Sequence, residues 1–170
     1  MIHLITGGSG SGKSAYAEER ILELNGDCRI YIATMYPYDE ESRRRIARHR
    51  AMRAQKRFAT VECYQNLEQA EVPRGADVLL ECMSNLTANE MFWPQGAGEN
   101  TEEQILRGVE RLRRTAANLV IVSNEIFSDG IAYDSGTREY QRTLGRINCR
   151  LAKLADRVTE VVYGIPLEVK

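Results

Sequence analysis

The residues with the clearest chemical meaning form a glycine-rich stretch near the amino terminus. Residues 7–14 read Gly-Gly-Ser-Gly-Ser-Gly-Lys-Ser and match the pattern G-x-x-x-x-G-K-[ST], directly after the apolar run 2–6. Glycines let backbone N–H groups curl around phosphates, the lysine reaches the terminal phosphates, and the hydroxyl ligates Mg²⁺. The sequence therefore predicts a nucleotide site, with Lys13 as a catalytic cation, Ser14 as a Mg²⁺ ligand, and contacts at Gly7, Gly8, Ser9, Gly10, Ser11, Gly12, Lys13 and Ser14.

Polar residues follow the other predicted strands at their carboxyl ends, where ligands bind in open α/β sheets. Ala33 and Thr34 end the second strand, and Glu81 closes the apolar run 78–80. Nucleotide-binding domains of this type keep a carboxylate there, more often Asp, to orient Mg²⁺ and its water. Glu81 is the candidate and Glu125, after the fifth strand, is the alternative. Either could instead be a structural carboxylate paired with an arginine.

A strongly basic segment, residues 39–53, is the second candidate feature. Its acids come first and its bases last, which suits the dipole of a helix. On helical spacing Ile46, His49, Arg50 and Arg53 share one side, so an imidazole lies beside two guanidinium groups. A neutral imidazole can attack phosphorus, and the guanidinium groups would neutralise phosphate charge. The same spacing also fits a solvated basic face with a surface histidine, and residue types alone leave both interpretations open.

Composition limits the class of protein. The 170 residues are 43% hydrophobic, which predicts one globular domain over 1–170. Lys and Arg number 23 against 24 Asp and Glu, and this balance argues against a nucleic-acid or membrane partner. No apolar run is long enough to span a bilayer, and we expect a soluble cytoplasmic protein. The four cysteines are far apart and are interpreted as reduced core thiols, without disulfides or a structural metal, and His3 is expected to pack inside the first strand.

Short β-branched runs alternate with longer helical patterns, which is typical of a mainly parallel α/β sheet with helices on both faces. The predicted strands are residues 2–6, 29–34, 60–62, 78–82, 119–123 and 159–163, with a short antiparallel closing strand near 167–169. The predicted helices are residues 13–24, 40–55, 85–92, 102–116 and 138–155. Turn-forming residues over 93–100 predict a surface loop before a helix cap at Thr101.

In this order the motifs resemble those of the bifunctional adenosylcobinamide kinase / adenosylcobinamide-phosphate guanylyltransferase family of cobalamin biosynthesis. The resemblance covers nearly the whole chain. After the phosphate loop come Y-I-A-T at 31–34, R-I-x-x-H at 45–49, T-V-E at 60–62, L-L-E-C at 79–82, V-S-N-E at 122–125, G-R-I-N at 145–148 and G-I-P-L at 164–167. Many unrelated enzymes share the phosphate loop, whereas the ordered set is specific.

The resemblance implies two reactions on one corrinoid. Adenosylcobinamide is phosphorylated with ATP or GTP, and GMP then passes from GTP through a guanylyl-histidine to give adenosylcobinamide-GDP and pyrophosphate. His49 matches the guanylylated histidine. Further nucleotide contacts map to Ala33, Thr34, Met35, Arg50, Ala51, Met52, Arg53, Glu62 and Glu81.

The same resemblance implies a fold and an assembly. It points to a phosphate-loop domain related to the recombinase-like group, using Mg²⁺ and assembled as a homotrimer with the corrinoid between subunits. Residues 127–131 depart from the glycine-rich segment that is usual in the family.

Two other classes of function remain open at this point. A small-molecule kinase without the transferase half-reaction would need the phosphate loop but not His49. A nucleotide switch or recombinase-like nucleic-acid binder would place the arginine-rich helix on a phosphate backbone. The near-neutral net charge and the single basic helix argue against that second class.

Overall fold

The computed structural model describes residues 1–128 and 130–170 and places seven strands in one sheet. The strands are β1 (Ile2–Thr6), β2 (Arg29–Ala33), β3 (Phe58–Glu62), β4 (Asp77–Glu81), β5 (Asn118–Val122), β6 (Arg157–Val162) and β7 (Ile165–Glu168). The helices are α1 (Lys13–Glu23), α2 (Glu40–Arg53), α3 (Met83–Phe92), α4 (Thr101–Thr115) and α5 (Ser135–Leu154), with short 3₁₀ turns at Leu67–Gln69 and Gly98–Asn100.

The strand order across the sheet is β3-β2-β4-β5-β1-β6-β7, and every pairing is parallel except that of β6 with β7. The predicted parallel sheet with an antiparallel closing strand is therefore confirmed. Each predicted strand and helix is present, with its ends within a few residues of the predicted ends. Because β1, β2, β4 and β5 all run in the same direction, their carboxyl ends meet at one edge.

The core lies on both faces of the sheet, as the apolar runs predicted. On one face α1 packs Ala17 and Ile21 against Ile5, Leu79 and Val120. The other face is covered by α3, α4 and α5, whose buried side chains include Leu86, Val109 and Ile147. Strands covered on both sides cannot alternate apolar and polar residues, which is why β4 and β5 read as continuous apolar runs.

Two details differ from the sequence prediction. Thr101 is the first residue of α4 rather than its cap, because the 3₁₀ turn Gly98–Asn100 leads directly into the helix and the Thr101 hydroxyl donates to the Gly98 carbonyl at 2.7 Å. Cys149 is exposed, so the prediction of core thiols is wrong for that cysteine.

Two further predictions concern His3 and residues 127–131. His3 is packed as predicted, with Nε2 2.8 Å from the Thr159 hydroxyl. The segment 127–131 includes Asp129, which lies outside the described residues.

In the described part of the chain, no helix is long and apolar enough to cross a membrane.

Gly108 marks a close approach between α4 and the 3₁₀ turn Leu67–Gln69. A Cβ at Gly108 would lie 2.6 Å from Cβ and 2.9 Å from Cγ of the fully buried Leu67. Replacing Gly108 with Ala is expected to lower the free energy of unfolding by about 1–3 kcal/mol, because overpacking outweighs the gain in helix propensity. Urea-induced unfolding followed by circular dichroism measures this change.

Gly145 in α5 provides the matched control for this substitution. A Cβ there would lie 3.6 Å from the Phe127 ring, an ordinary van der Waals contact. Gly145→Ala is therefore expected to raise the free energy of unfolding by about 0.5–1 kcal/mol. Equal effects of the two substitutions would contradict the close α4 packing.

Candidate active site

The phosphate loop joins β1 to α1 at the carboxyl edge of the sheet. Two of its glycines are required by the backbone. Gly7 has a φ of 157° and a Cβ there would lie 2.5 Å from the Val161 carbonyl oxygen, while Gly12 has a φ of 93° at the start of α1. The positive end of the α1 dipole and its free N–H groups therefore face the space above the loop, where an anion is stabilised.

Lys13 lies buried at the base of this loop. Its Nζ donates to the Gly8 carbonyl oxygen at 2.9 Å. Burial lowers the pKa of Lys13, and the nearby Cys82 and Glu81 side chains act in the opposite direction. The lysine thus presents a desolvated cation beside a cavity of about 360 Å³, the phosphate-loop cavity, lined by Ser9, Gly10, Ser11, Gly12, Lys13, Ser14, Ala15, Met35, Arg45, Arg48, His49, Met52, Glu81, Cys82, Asn85 and Asn124.

Glu81 is the carboxylate that the fold brings to the loop. The Ser14 hydroxyl donates to Glu81 Oε1, and Oε2 is buried without a hydrogen-bond partner among the described residues. Glu125 instead accepts hydrogen bonds within its own segment, from the Phe127 N–H at 2.9 Å and the Ser128 hydroxyl at 2.6 Å. Of the two carboxylates that the sequence left open, Glu81 lies beside Ser14.

Thr34 holds the end of β2 against the end of β4. Its hydroxyl donates to the Cys82 carbonyl at 2.8 Å and accepts from the Cys82 N–H at 2.7 Å, and its own N–H donates to the Glu81 carbonyl at 3.0 Å. Thr34 is fully buried. It therefore fixes the backbone that carries Glu81 rather than lining a cavity.

Helix α2 crosses the carboxyl edge of the sheet with little apolar support. It begins with a capping box in which the Ser42 N–H donates to Asp39 at 2.7 Å and the Asp39 N–H donates to the Ser42 hydroxyl at 3.0 Å. Among the described residues of this helix, Arg53 alone is buried. The cap stabilises the start of the helix locally, and the buried Arg53, rather than a buried apolar face, holds its end against the fold.

The two long sides of α2 line two different cavities. Arg45, Arg48 and Met52 line the phosphate-loop cavity. Ile46, Arg50 and Arg53, the side that helical spacing predicted, line a second cavity of about 580 Å³. His49 lines both, with Nδ1 3.9 Å from Glu81 Oε1. The imidazole is therefore a group shared by both cavities.

The second cavity combines apolar walls with two carboxylates, Glu81 and Glu62, of which Glu62 is held by side chains of the cavity itself. Arg50 donates to Glu62 Oε1 at 2.7 Å and the Tyr64 hydroxyl donates to Glu62 Oε2 at 2.8 Å. Burial and that hydrogen bond raise the pKa of Tyr64 to about 12, so the phenol remains a donor near neutral pH. The Arg53 guanidinium carbon lies 3.3 Å from the centroid of the Tyr31 ring. These contacts give the cavity an oriented acceptor, Glu62, above an aromatic wall.

The sequence predicted most of the residues that line the two cavities, but not all of them. The predicted positions line the two cavities with four exceptions, which are Gly7, Gly8, Thr34 and Ala51. The structure adds further side chains that were not proposed as contacts. Helical spacing of four residues from His49 could have found Arg45, and the polar residues that follow β4 and β5 could have found the two asparagines. The added residues are Arg43, Arg45, Arg48, Asn85 and Asn124.

The segment just after α2 is tied to α1 by a partly buried ion pair. Lys56 Nζ donates to Glu18 Oε2, and the Glu18 side chain is fully buried. Its other oxygen, Oε1, has no hydrogen-bond partner in the described part of the chain. Because α1 begins at the phosphate loop, this pair fixes the histidine-bearing helix relative to that loop.

Comparison with known proteins identifies the family. The model of the family described as cobinamide kinase / cobinamide phosphate guanyltransferase matches residues 3–169. The chain belongs to this family. A bifunctional adenosylcobalamin biosynthesis protein, CobU, from Salmonella typhimurium is 32% identical, and CobU from Escherichia coli is 34% identical, with both alignments covering the whole of both chains. CobP from Pseudomonas aeruginosa is 31% identical over the whole chain and 98% of its own length.

A solved structure supports the fold assignment of this cobinamide kinase / cobinamide phosphate guanyltransferase family member. A solved ATPase domain superposes with a TM-score of 0.53 at 11% identity, covering 94% of this chain and 68% of that chain. At this identity the likeness concerns the fold alone. It confirms the predicted phosphate-loop α/β architecture.

Breaking the ion pair between α1 and α2 should destabilise the protein. Lys56→Met leaves the Glu18 carboxylate buried without its cation, so we expect the free energy of unfolding to fall by about 2 kcal/mol. The value lies below that of fully buried pairs because 27% of the Lys56 side chain is exposed. Thermal and urea unfolding measure the change.

Arg44→Met provides the control within α2 itself. Arg44 pairs with Glu40 on the solvent side, where both side chains are more than three-quarters exposed. We expect this substitution to leave the free energy of unfolding within about 0.5 kcal/mol of the unmodified chain. A Lys56→Met variant as stable as Arg44→Met would show that the buried pair does not hold α2.

Proposed function

We propose that this protein phosphorylates adenosylcobinamide with ATP or GTP and then transfers GMP from GTP to adenosylcobinamide phosphate in cobalamin biosynthesis. The observation that carries the proposal is the position of His49, which borders both the phosphate-loop cavity and the second cavity beside Glu81. A kinase alone has no use for an imidazole at that junction. Family membership and the names of the bifunctional relatives support the same assignment.

In the kinase step, the loop stabilises the negative charge of the transferred phosphoryl group. The N–H groups at the start of α1 and the buried Lys13 cation surround the phosphates of the nucleotide. The hydroxyl of adenosylcobinamide attacks the γ-phosphorus, and the bond to the nucleoside diphosphate breaks. Positioning and charge stabilisation, rather than a covalent enzyme intermediate, carry this step.

Ser14 and Glu81 are the residues that we propose to hold Mg²⁺. Two protein oxygens suit this ion, which binds in such sites through one or two side chains together with phosphate oxygens and water. The buried and unpartnered Oε2 of Glu81, next to the Ser14 hydroxyl, fits that requirement. When bound, the ion neutralises charge on the β- and γ-phosphates.

In the transferase step, His49 attacks the α-phosphorus of GTP. An N–P bond forms, the bond to the β-phosphate oxygen breaks, and pyrophosphate leaves. The phosphate oxygen of adenosylcobinamide phosphate then attacks the same phosphorus, which releases His49 and yields adenosylcobinamide-GDP. Nδ1 lies toward Glu81, so we assign the attack to Nε2, with the carboxylate orienting the ring.

The second cavity supplies the selectivity that GTP requires. Guanine carries adjacent N–H donors on its pairing edge, and the Glu62 carboxylate, fixed by Arg50 and Tyr64, is an acceptor of matching chemistry. The predicted contacts at Ala33 and Met35 line this cavity on the side of β2. We therefore place the guanine of the guanylyl group against Glu62.

We extend the proposal to the assembly and the cellular setting. We propose a cytoplasmic homotrimer with the corrinoid bound between subunits. The apolar side chains of Ile165 and Leu167, which lie exposed on the edge strand β7, fit a contact between subunits. A role on nucleic acid has less support. The net charge is −1, and several arginines of α2 line cavities instead of forming one exposed basic face.

Replacing His49 separates the two reactions. After incubation with GTP and Mg²⁺ but no corrinoid, the unmodified protein should gain the mass of one GMP in acid-labile form, and His49→Ala should gain none. Intact-mass spectrometry measures both. His49→Ala should still phosphorylate adenosylcobinamide, since that step does not use the imidazole.

The outcome also decides between this proposal and a plain kinase. If the unmodified protein binds nucleotide and phosphorylates the corrinoid, yet forms no adduct even with pyrophosphatase present, the covalent transferase assignment fails. The small-molecule kinase interpretation would then replace it.

Matched carboxylate variants test the assignment of Glu81. Glu81→Gln should lower kcat of the kinase reaction about 100-fold and raise the Mg²⁺ concentration needed for half-maximal activity, because a charged ligand is lost. Glu125→Gln should change neither by more than about 3-fold, since the Glu125 carboxylate bonds only within its own segment among the described residues and the substitution leaves the backbone N–H that donates to Gly7 in place. Steady-state kinetics over a Mg²⁺ titration give both values, and the reverse ranking would assign the ion to Glu125.

A further inference from the structure

Four aromatic side chains from three separate segments meet beside the nucleotide site. Tyr36 is at the centre, with its ring centroid 5.0 Å from Tyr38, 5.1 Å from Tyr64 and 5.1 Å from Trp93. Tyr38 and Trp93 are 5.7 Å apart. We call these four residues the aromatic cluster. Edge-to-face contacts of this kind fix the rings relative to one another.

The buried side-chain amide of Asn89 connects the backbone segments that carry the cluster. Asn89 Nδ2 donates to the Thr34 carbonyl at 3.0 Å and to the Tyr64 carbonyl at 2.9 Å. The end of β2, the segment after β3 and helix α3 are thereby held together under the rings. The rings therefore form a preorganised surface, which lowers the entropic cost of binding a ligand.

Two of the four rings remain accessible to solvent. Tyr36 is 41% and Tyr38 60% exposed, although both belong to a tight aromatic group. Rings that served only to close a small core would be covered, because each buries a large apolar area. An exposed aromatic surface rimmed by polar groups marks a binding site.

The position of the cluster relates it to the phosphoryl acceptor. Tyr36 and Tyr38 line a cavity of about 230 Å³ together with Met35, Arg45 and Asn85. Those last three residues also line the phosphate-loop cavity. A ligand resting on the cluster can therefore extend a hydroxyl or phosphate group toward the transferred phosphorus, while the nucleotide occupies the loop.

The electrostatics of this surface favour a broad, weakly hydrated cation. Asp39, Glu41 and Arg45 line the same small cavity as the two tyrosines, and Arg45 pairs with Glu41 at 3.4 Å, so Asp39 supplies the net negative charge. Hydrogen bonds from Ser42 hold the pKa of Asp39 below its usual value, so this carboxylate is charged near neutral pH. An adenosylated cobalt(III) corrin carries a net positive charge on a broad ring, and aromatic faces attract weakly hydrated cations.

We propose that the aromatic cluster binds the corrin ring of the acceptor and directs its aminopropanol arm toward the phosphate-loop cavity. The identity of the ligand rests on the proposed function, whereas the location rests on the cluster itself. The guanine base is the other flat group available, but its acceptor Glu62 lines the second cavity together with Tyr64. The exposed rings of Tyr36 and Tyr38 line the small cavity, which does not include Glu62, so these rings are assigned to the corrinoid.

The chain carries its own probe for this test, because Trp93 is its single tryptophan. Corrinoids absorb in the range of tryptophan emission, so binding of cobinamide quenches Trp93 fluorescence, after inner-filter correction against free N-acetyltryptophanamide. A saturable quench with the full-length protein gives the Kd.

Tyr38→Ala should raise this Kd about tenfold and raise KM for adenosylcobinamide more than it lowers kcat. Tyr38→Phe, which keeps the ring, should stay within about 2-fold of the unmodified protein.

Tyr163→Ala serves as the control, because Tyr163 is an exposed tyrosine outside the aromatic cluster. It should leave Kd and KM unchanged. The location is overturned if Tyr38→Ala, with an unchanged melting temperature, binds cobinamide as tightly as Tyr163→Ala does. It is also overturned if Tyr38→Ala weakens GTP but not cobinamide. Should Tyr38→Ala unfold, Tyr38→Leu is measured in the same way.

The proposed function has a separate readout. The GMP adduct on His49 forms in the unmodified protein without corrinoid, so its absence would contradict the proposed function and not the location of the cluster. Saturable cobinamide binding that depends on the Tyr38 ring would still support the cluster in that case.

Discussion

The hydrogen bond from Ser14 to Glu81 joins the two parts of the nucleotide site. Ser14 belongs to the first turn of α1, and Glu81 ends β4, which is separated from β1 by β5 in the sheet. The contact exists only because β1, β5 and β4 run parallel and in register, so that their carboxyl ends lie at one level. The hydroxyl, the carboxylate and the phosphate loop are thus positioned by the same backbone pairing.

Helix α2 is held in place by polar contacts rather than by strand pairing or a buried apolar face. A helix that buries an apolar stripe is held in one place by its core contacts, whereas α2 is held by the Arg53–Tyr31 contact and by the Lys56–Glu18 pair just beyond its end. This leaves both of its sides free to line cavities. The two cavities therefore meet at the helix that carries His49, which lines both of them.

The local patterns of the chain predicted most of the fold. Continuous apolar runs identified the buried strands, and the loop pattern at residues 7–14 fixed the first turn of α1, because both signals depend on neighbours in sequence. The cap at Thr101 was misplaced because a 3₁₀ turn takes up the residues before the helix. Cys149 was misassigned because composition does not tell which side of α5 faces solvent.

The sequence by itself determined the phosphate loop, the parallel sheet and the candidates His49 and Glu81. Only the tertiary structure decided between Glu81 and Glu125 as the neighbour of Ser14, and only it placed Arg45 and Arg48 on the phosphate side of α2. It also gathered Tyr36, Tyr38, Tyr64 and Trp93 into one cluster. The physical reason is the same in each case. These contacts join residues from different strands and loops, and their distances are set by strand order and helix placement, which local residue patterns do not encode.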